Sequence, residues 1–250
     1  MSSTIPLYEP IELQTAEPWC PPADSQSVLG LAELLLKDRR SADELLREEN
    51  QQVDLIPRFV TISLVSFTLY AWAMILLLDV APDGAIPTIL ADGWALAIRP
   101  ALALWLAYAL GLIASTGVCL PSFYFYGLLA GIKISFVGIV GHSMKGAAST
   151  AIMLMGILPI YVAVALGMLI FGAPIAGQQA IFTLGLALPF IAGLWGVYSL
   201  YQGFMRLADT LPGGCSGKRF CFLRRMTLAW SACYTAVTPL MIYTLWMHFA

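Results

Sequence analysis

Few side chains in this 250-residue sequence are of types that could do chemistry, and they are widely scattered. The two histidines are His142 and His248, and the closest cysteines in the second half of the chain, Cys215 and Cys221, stand six positions apart. A structural zinc site needs four ligands at a recognisable spacing, and these residues do not supply them. We therefore expect no metal, no cofactor and no catalytic residue.

The elements that would have to position such groups are apolar runs without Asp, Glu, His, Lys or Arg between their ends. Catalysis or proton transfer inside a membrane needs ionisable groups there, and hydroxyls such as Ser66 and Ser199 have no base to activate them. The sequence thus predicts a non-enzymatic protein. One enzymatic alternative stays open, with a site in the segment around His142 and Lys145.

The composition predicts that most of the chain lies in a lipid membrane. Hydrophobic residues make up 59%, charged residues only 11%, and the mean hydropathy is +0.80. This much apolar surface cannot be hidden in one water-soluble core, so a soluble enzyme is excluded. The formal net charge of −2 gives no field that would attract nucleic acid, and we expect membrane lipids among the partners and no nucleic acid.

The predicted domain organisation has three parts. Residues 1–26 are acidic and proline-rich, which is typical of a disordered tail. Residues 27–58 predict amphipathic helices on the cytoplasmic side, the second of them starting at a capping box formed by Ser41 and Glu44. The apolar stripe of the first helix is Val28, Leu31, Leu34 and Leu35.

Residues 59–250 predict an all-α polytopic membrane bundle, because they hold five uncharged runs long enough to cross a hydrocarbon core of about 30 Å. The predicted spans are residues 59–78, 100–120, 150–171, 180–202 and 227–249. A tight turn over 172–179 joins the third and fourth spans. We expect residues 122–149, divided from the second span by Pro121, to form an interfacial loop containing a helix, with His142 and Lys145 near water.

Charge distribution predicts the orientation. Of the 13 Lys and Arg residues, only Arg99 falls on the side opposite the N-terminus. Because basic residues concentrate on the cytoplasmic side, we expect a cytoplasmic N-terminus and an external C-terminus.

Two sets of residues are candidates for function. Basic clusters beside the spans could contact anionic headgroups or a protein partner: Lys37, Arg39, Arg40, Lys218, Arg219, Arg224 and Arg225. Mid-span prolines could break helices and line a cavity: Pro159, Pro189 and Pro239. The first set favours a scaffold or adaptor that presents its cytoplasmic face to a protein partner or lipid. The second favours the alternative, a transporter or channel component with a midplane site.

Part of the membrane region resembles the Yip1-type membrane proteins. The residues that resemble the family's third span are Lys145, Ala148, Gly156, Leu158, Pro159 and Ile160, and those of its fourth are Gly193, Tyr198, Ser199, Tyr201 and Gly203. The resemblance covers residues 122–211 and implies five spans with the N-terminus inside. The motif by which eukaryotic members engage small GTPases is missing before the first span. The chain is more similar to bacterial members, which implies the bacterial inner membrane.

The predicted orientation can be tested with a reporter fused after Ala250. We expect the reporter to be active only outside the cytoplasm, because an odd number of spans separates it from the basic N-terminal side. A reporter active in the cytoplasm would contradict the five-span orientation.

Overall fold

The computed structural model describes residues 27–37, 39–46, 49–82, 84–85, 98–129, 135–208 and 216–249, and all regular structure within these ranges is α-helical. The helices are α1 (Val28–Lys37), α2 (Arg39–Leu45), α3 (Glu49–Asp79), α4 (Ile98–Leu129), α5 (Phe136–Ile170), α6 (Ile175–Ala208) and α7 (Ser216–Phe249). The predicted acidic tail, residues 1–26, lies outside the described residues.

Five of these helices, α3 to α7, are long and apolar enough to cross a membrane, which confirms the prediction of an all-α bundle with five spans. The predicted tight turn between the third and fourth spans is also present. Gly172 ends α5 in the left-handed region, with φ at 63°, and α6 begins at Ile175. A residue with a Cβ would be strained in that conformation.

The interfacial loop predicted over residues 122–149 is wrong. Helix α4 continues through Pro121 to Leu129, and α5 begins at Phe136. A proline removes one backbone hydrogen bond, and here packing of the following turn, where Phe123 is buried, keeps the helix intact. The side chain of Ser135 caps α5 by accepting a hydrogen bond from the Gly138 amide at 3.1 Å.

The N-terminal helices also differ in detail from the expectation. Ser27 caps α1, accepting a hydrogen bond from the Gly30 amide at 2.9 Å. Helix α2 begins at Arg39, so Ser41 lies inside the helix and the predicted capping box is wrong. Helix α3 passes through Pro57 without a break, so its first turns and the first span are one rigid element.

Two hydrophobic clusters hold the helices together. The first contains residues from all five spanning helices, α3 through α7, and includes Phe67, Met74, Leu154, Phe182 and Ile242. The second brings α1 and α2 against one end of the bundle, which we call the α1–α2 end. Its members include Leu31, Leu35, Leu45, Leu46, Phe59, Phe123, Ile139, Leu200 and Trp230. The N-terminal helices are thus packed parts of the bundle.

Pro189 in α6 is buried and leaves the carbonyl of Gly185 without its helical partner. Tyrosine hydroxyls from three neighbouring helices donate to carbonyls of this region: Tyr70 of α3 to Gly185, Tyr108 of α4 to Leu186 at 3.0 Å, and Tyr161 of α5 to Ile181 at 3.2 Å. The Tyr70 bond compensates the break at Pro189, and all three bonds fasten α6 to the other spans.

We expect Tyr70→Phe to lower the free energy of unfolding by about 1 kcal/mol, the usual value of a hydrogen bond between membrane helices. The measurement is chemical unfolding in mixed micelles. The matched control is Tyr243→Phe on α7, where the tyrosine is exposed and the change should have no effect. Equal stability of the two variants would contradict the role of Tyr70.

Candidate functional site

A cluster of three ionisable side chains lies inside the α1–α2 end. Lys145 of α5 donates a hydrogen bond to Asp43 Oδ1 of α2, and His142 Nδ1 lies 3.8 Å from the same oxygen. The exposed fractions are 5% for Asp43, 2% for His142 and 1% for Lys145. The expectation that His142 and Lys145 lie near water is therefore wrong, because α2 covers them.

The surroundings of Lys145 explain why it can be buried so deeply. Every residue of α5 from Gly141 to Ala151 is buried, and this stretch is rich in Gly, Ala and Ser. Small side chains let neighbouring helices approach on all sides. A Cβ added to Gly141 would lie 2.9 Å from the Leu46 side chain, so α2 rests almost directly on the α5 backbone.

Asp43 lies inside the bundle because its apolar neighbours in the chain pack against the other helices. Ala42, Leu45 and Leu46 are buried beside it, whereas Glu44 on the opposite side of α2 is exposed. Helix α6 leaves room for the cluster through Gly203, where a Cβ would lie 3.2 Å from Asp43 Oδ1 and 3.3 Å from His142 Nδ1. Any larger residue at 203 would press on the ion pair.

A second polar contact fastens the same corner. The Gln52 side chain, at the start of α3, donates to the Leu46 carbonyl at 2.8 Å and accepts a hydrogen bond from Ser135 at 3.4 Å. Because Ser135 caps α5, Gln52 connects the end of α2 to the start of α5. The turn between α2 and α3 is thereby fixed relative to the cluster.

The electrostatics favour a structural role for the cluster. Burying a charge is costly unless it is paired, and removing one partner of a buried pair leaves an uncompensated charge. Asp43 and Lys145 therefore stabilise each other only while α2 stays docked. A substrate could reach these groups only by displacing α2, and in the described part of the chain no group of three His, Cys, Asp or Glu residues could hold a metal ion.

The predicted basic contacts are not members of this cluster. Lys37 is exposed at the end of α1 and pairs with Glu33; the hydrogen bond between them lowers the pKa of Glu33 and raises that of Lys37. Arg224 and Arg225 are exposed on α7. For four of the predicted residues the structure describes the backbone only: Arg39 and Arg40 in α2, and Lys218 and Arg219 in α7.

Arg224 and Arg225 belong to the same end of the bundle as the N-terminal helices. Trp230, further along α7, is buried in the cluster that contains the α1 and α2 leucines, and it donates to the Cys119 carbonyl at 3.0 Å. Its ring also packs on Phe123, with centroids 4.5 Å apart. The first half of α7 is therefore fixed to α4 at the α1–α2 end.

The three candidate prolines do not share one site. Pro159 and Pro239 are exposed, whereas Pro189 is buried and lines a crevice of about 400 Å³ between α6 and α7. The crevice also touches α3, α4 and α5, through residues that include Phe67, Leu112 and Thr150.

Compared with protein-family models, curated proteins and solved structures, the chain has no match in any of the three. Function must therefore be inferred from the chain's own geometry. In that geometry Asp43 is the residue that sequence reasoning missed. The available signal was the adjacent pair Asp43 and Glu44 between Ala42 and Leu45, because two neighbouring positions of a helix with an apolar face do not point in the same direction.

We expect Asp43→Ala to lower the free energy of unfolding by about 3–5 kcal/mol, because Lys145 would be left buried without its carboxylate. The double variant Asp43→Ala with Lys145→Met should recover much of that loss, since it removes both charges and adds no larger side chain. Chemical unfolding in mixed micelles measures both.

The control is Lys37→Met, which breaks the exposed pair with Glu33 and should leave stability essentially unchanged. If the double variant is as unstable as the sum of its single changes, the two residues are not coupled and the ion pair does not hold α2.

Proposed function

We propose that the protein is a non-enzymatic integral membrane scaffold, or a subunit of a membrane complex, which presents the α1–α2 end to a cytoplasmic partner or to anionic headgroups. The observation that supports this most directly is the position of Arg224 and Arg225. Both are exposed on the start of α7, at the end of the bundle where the Asp43–Lys145 pair holds α2 against α5. A rigid face with exposed guanidinium groups suits carboxylate or phosphate recognition.

The structure changes how such a scaffold would work. A partner cannot use the apolar face of α1, because Leu31, Leu34 and Leu35 are buried against the bundle. In our proposal the N-terminal helices act as a fixed platform, and the basic start of α7 makes the contact. Lys218 and Arg219 precede Arg224 and Arg225 on the same helix and extend the basic segment.

We further propose the bacterial inner membrane as the location, with the α1–α2 end in the cytoplasm and a Yip1-type architecture. The bias of basic residues toward one side supports the orientation. Gly203, which belongs to the segment that resembles the family, lies against Asp43 and His142, so this position has a packing reason to be glycine.

A second candidate function, a transporter or channel component, is favoured by one observation, the crevice at Pro189. The hypothesis of a midplane site shared by all three prolines receives less support, because Pro159 and Pro239 are exposed and are not among the crevice residues.

The scaffold proposal is tested by reversing the basic pair with Arg224→Glu and Arg225→Glu. A basic residue near an anionic surface contributes about 1 kcal/mol, so we expect recovery of the partner or of anionic lipid to fall about tenfold or more. The measurement is purification from native membranes in mild detergent, with bound proteins and lipids quantified by mass spectrometry.

The matched control is Glu44→Lys with Asp54→Lys, which reverses one exposed acid in α2 and one at the start of α3 and should not reduce recovery. Undiminished recovery with the arginine reversals, in protein that inserts and folds normally, would contradict the proposal.

A further inference from the structure

A crevice runs along the side of the bundle between α6 and α7. Counted together with the open side, its Pro189 part has a volume of about 400 Å³ and a second part about 250 Å³, and the two parts share walls formed by Ala147, Thr150, Gly193, Val197 and Tyr234. The crevice extends from Pro189, near the middle of α6, to Leu200 and Ser143 close to the α1–α2 end. At about 1.5 Å per residue, the α6 wall is roughly 16 Å long.

The two ends of the crevice differ in chemistry. The Pro189 end is lined by aromatic and aliphatic side chains, among them Phe67, Leu112, Phe190 and Leu194. Hydroxyl groups line both parts: Thr150 and Tyr234 are shared, Thr235 and Thr238 belong to the Pro189 part, and Thr116 and Ser143 belong to the other part, which has fewer large aliphatic side chains. The polarity therefore rises toward the α1–α2 end.

Ser143 gives this other part of the crevice a specific binding group. Its side-chain oxygen is buried, the residue is 1% exposed, and the oxygen has no hydrogen-bond partner among the described residues. The other hydroxyls there are engaged, with Thr116 and Tyr234 3.1 Å apart and Thr150 donating to the Gly146 carbonyl at 3.1 Å. A buried polar group is costly to leave unpaired, so Ser143 favours a ligand with a hydrogen-bond acceptor.

The residues at the open side of the crevice indicate which molecules can enter it. Leu194 and Thr235 stand on the two rims and are exposed, and both lie within helices long and apolar enough to span a membrane. The medium outside such a rim is hydrocarbon. Gly193 keeps the wall open, because no heavy atom lies within 4 Å of a Cβ placed there.

We propose that this crevice binds one acyl chain of a membrane phospholipid, with the chain against Pro189 and Phe190 and an ester oxygen accepting a hydrogen bond from Ser143. The polarity gradient matches a lipid whose headgroup points toward the α1–α2 end. This site goes beyond the proposed scaffold function, because its lipid is recognised through the acyl chain and ester, by residues other than Arg224 and Arg225.

The test uses the full-length protein in phospholipid vesicles that contain a phospholipid with a photoreactive diazirine in one acyl chain. After irradiation, mass spectrometry locates the labelled residues. We expect labelling to concentrate on Phe190, Leu194 and Tyr234. Exposed apolar residues outside the crevice, such as Trp72 and Ile160, should be labelled less.

Gly193→Leu should fill the crevice and lower labelling there about tenfold, which corresponds to about 1.4 kcal/mol of binding. The matched control is Gly156→Leu on α5, an exposed helical glycine that also has open space around it but does not line the crevice. It should leave labelling unchanged. Ser143→Ala should lower labelling about fivefold, through loss of one hydrogen bond.

Even labelling over all exposed apolar residues of the wild-type protein would overturn the proposal, and this result does not depend on any variant. Unchanged crevice labelling in folded Gly193→Leu protein would also overturn it. Reduced labelling in Gly193→Leu with normal labelling in Gly156→Leu supports it, whatever the outcome of the arginine reversals.

Discussion

The fold depends on a carboxylate and an ammonium group that are buried together at one end of an apolar bundle. Neither Asp43 nor Lys145 could stay charged inside the protein alone, since a buried ion needs a partner. Their pairing joins residues 102 positions apart in sequence and fixes α2 on α5. The leucines of α1 and α2 then complete the second hydrophobic cluster, against which Trp230 holds the start of α7. The exposed arginines gain a defined position from this arrangement.

Hydropathy and turn chemistry were enough to predict the five spans and the glycine turn at Gly172, because lipid imposes length and polarity on each span separately. They could not predict the docking of α2. Lys145 was expected near water, since a lysine usually marks a membrane boundary. Its ammonium group can be buried only because Asp43, on another helix, takes the place of water as its partner. Pro121 was expected to end a helix, yet tertiary packing of Phe123 overrides it. Both failures concern contacts between elements distant in sequence.

The bundle around Pro189 combines tight packing on one side with the crevice on the other. Around Pro189, the Tyr70 hydroxyl of α3 replaces the lost helical bond, and the Tyr108 and Tyr161 hydroxyls of α4 and α5 add two further bonds that fasten α6 to its neighbours. On the other side of the same proline, α7 stands away from α6 and leaves the crevice that we assign to a lipid chain. The proline thus shapes a wall of the crevice within a well-braced helix. In our proposal the protein is a rigid platform that binds a lipid in the crevice between α6 and α7.

The central claim, that the buried ion pair holds the N-terminal helices on the bundle, is tested most directly by hydrogen exchange in detergent micelles. We predict that amides of α1 and α2 are protected in the wild-type protein. In Lys145→Met they should exchange much faster, because Asp43 loses its partner and α2 undocks, while α6 around Pro189 keeps its protection. Equal protection of α1 and α2 in the wild-type and Lys145→Met proteins would contradict the account.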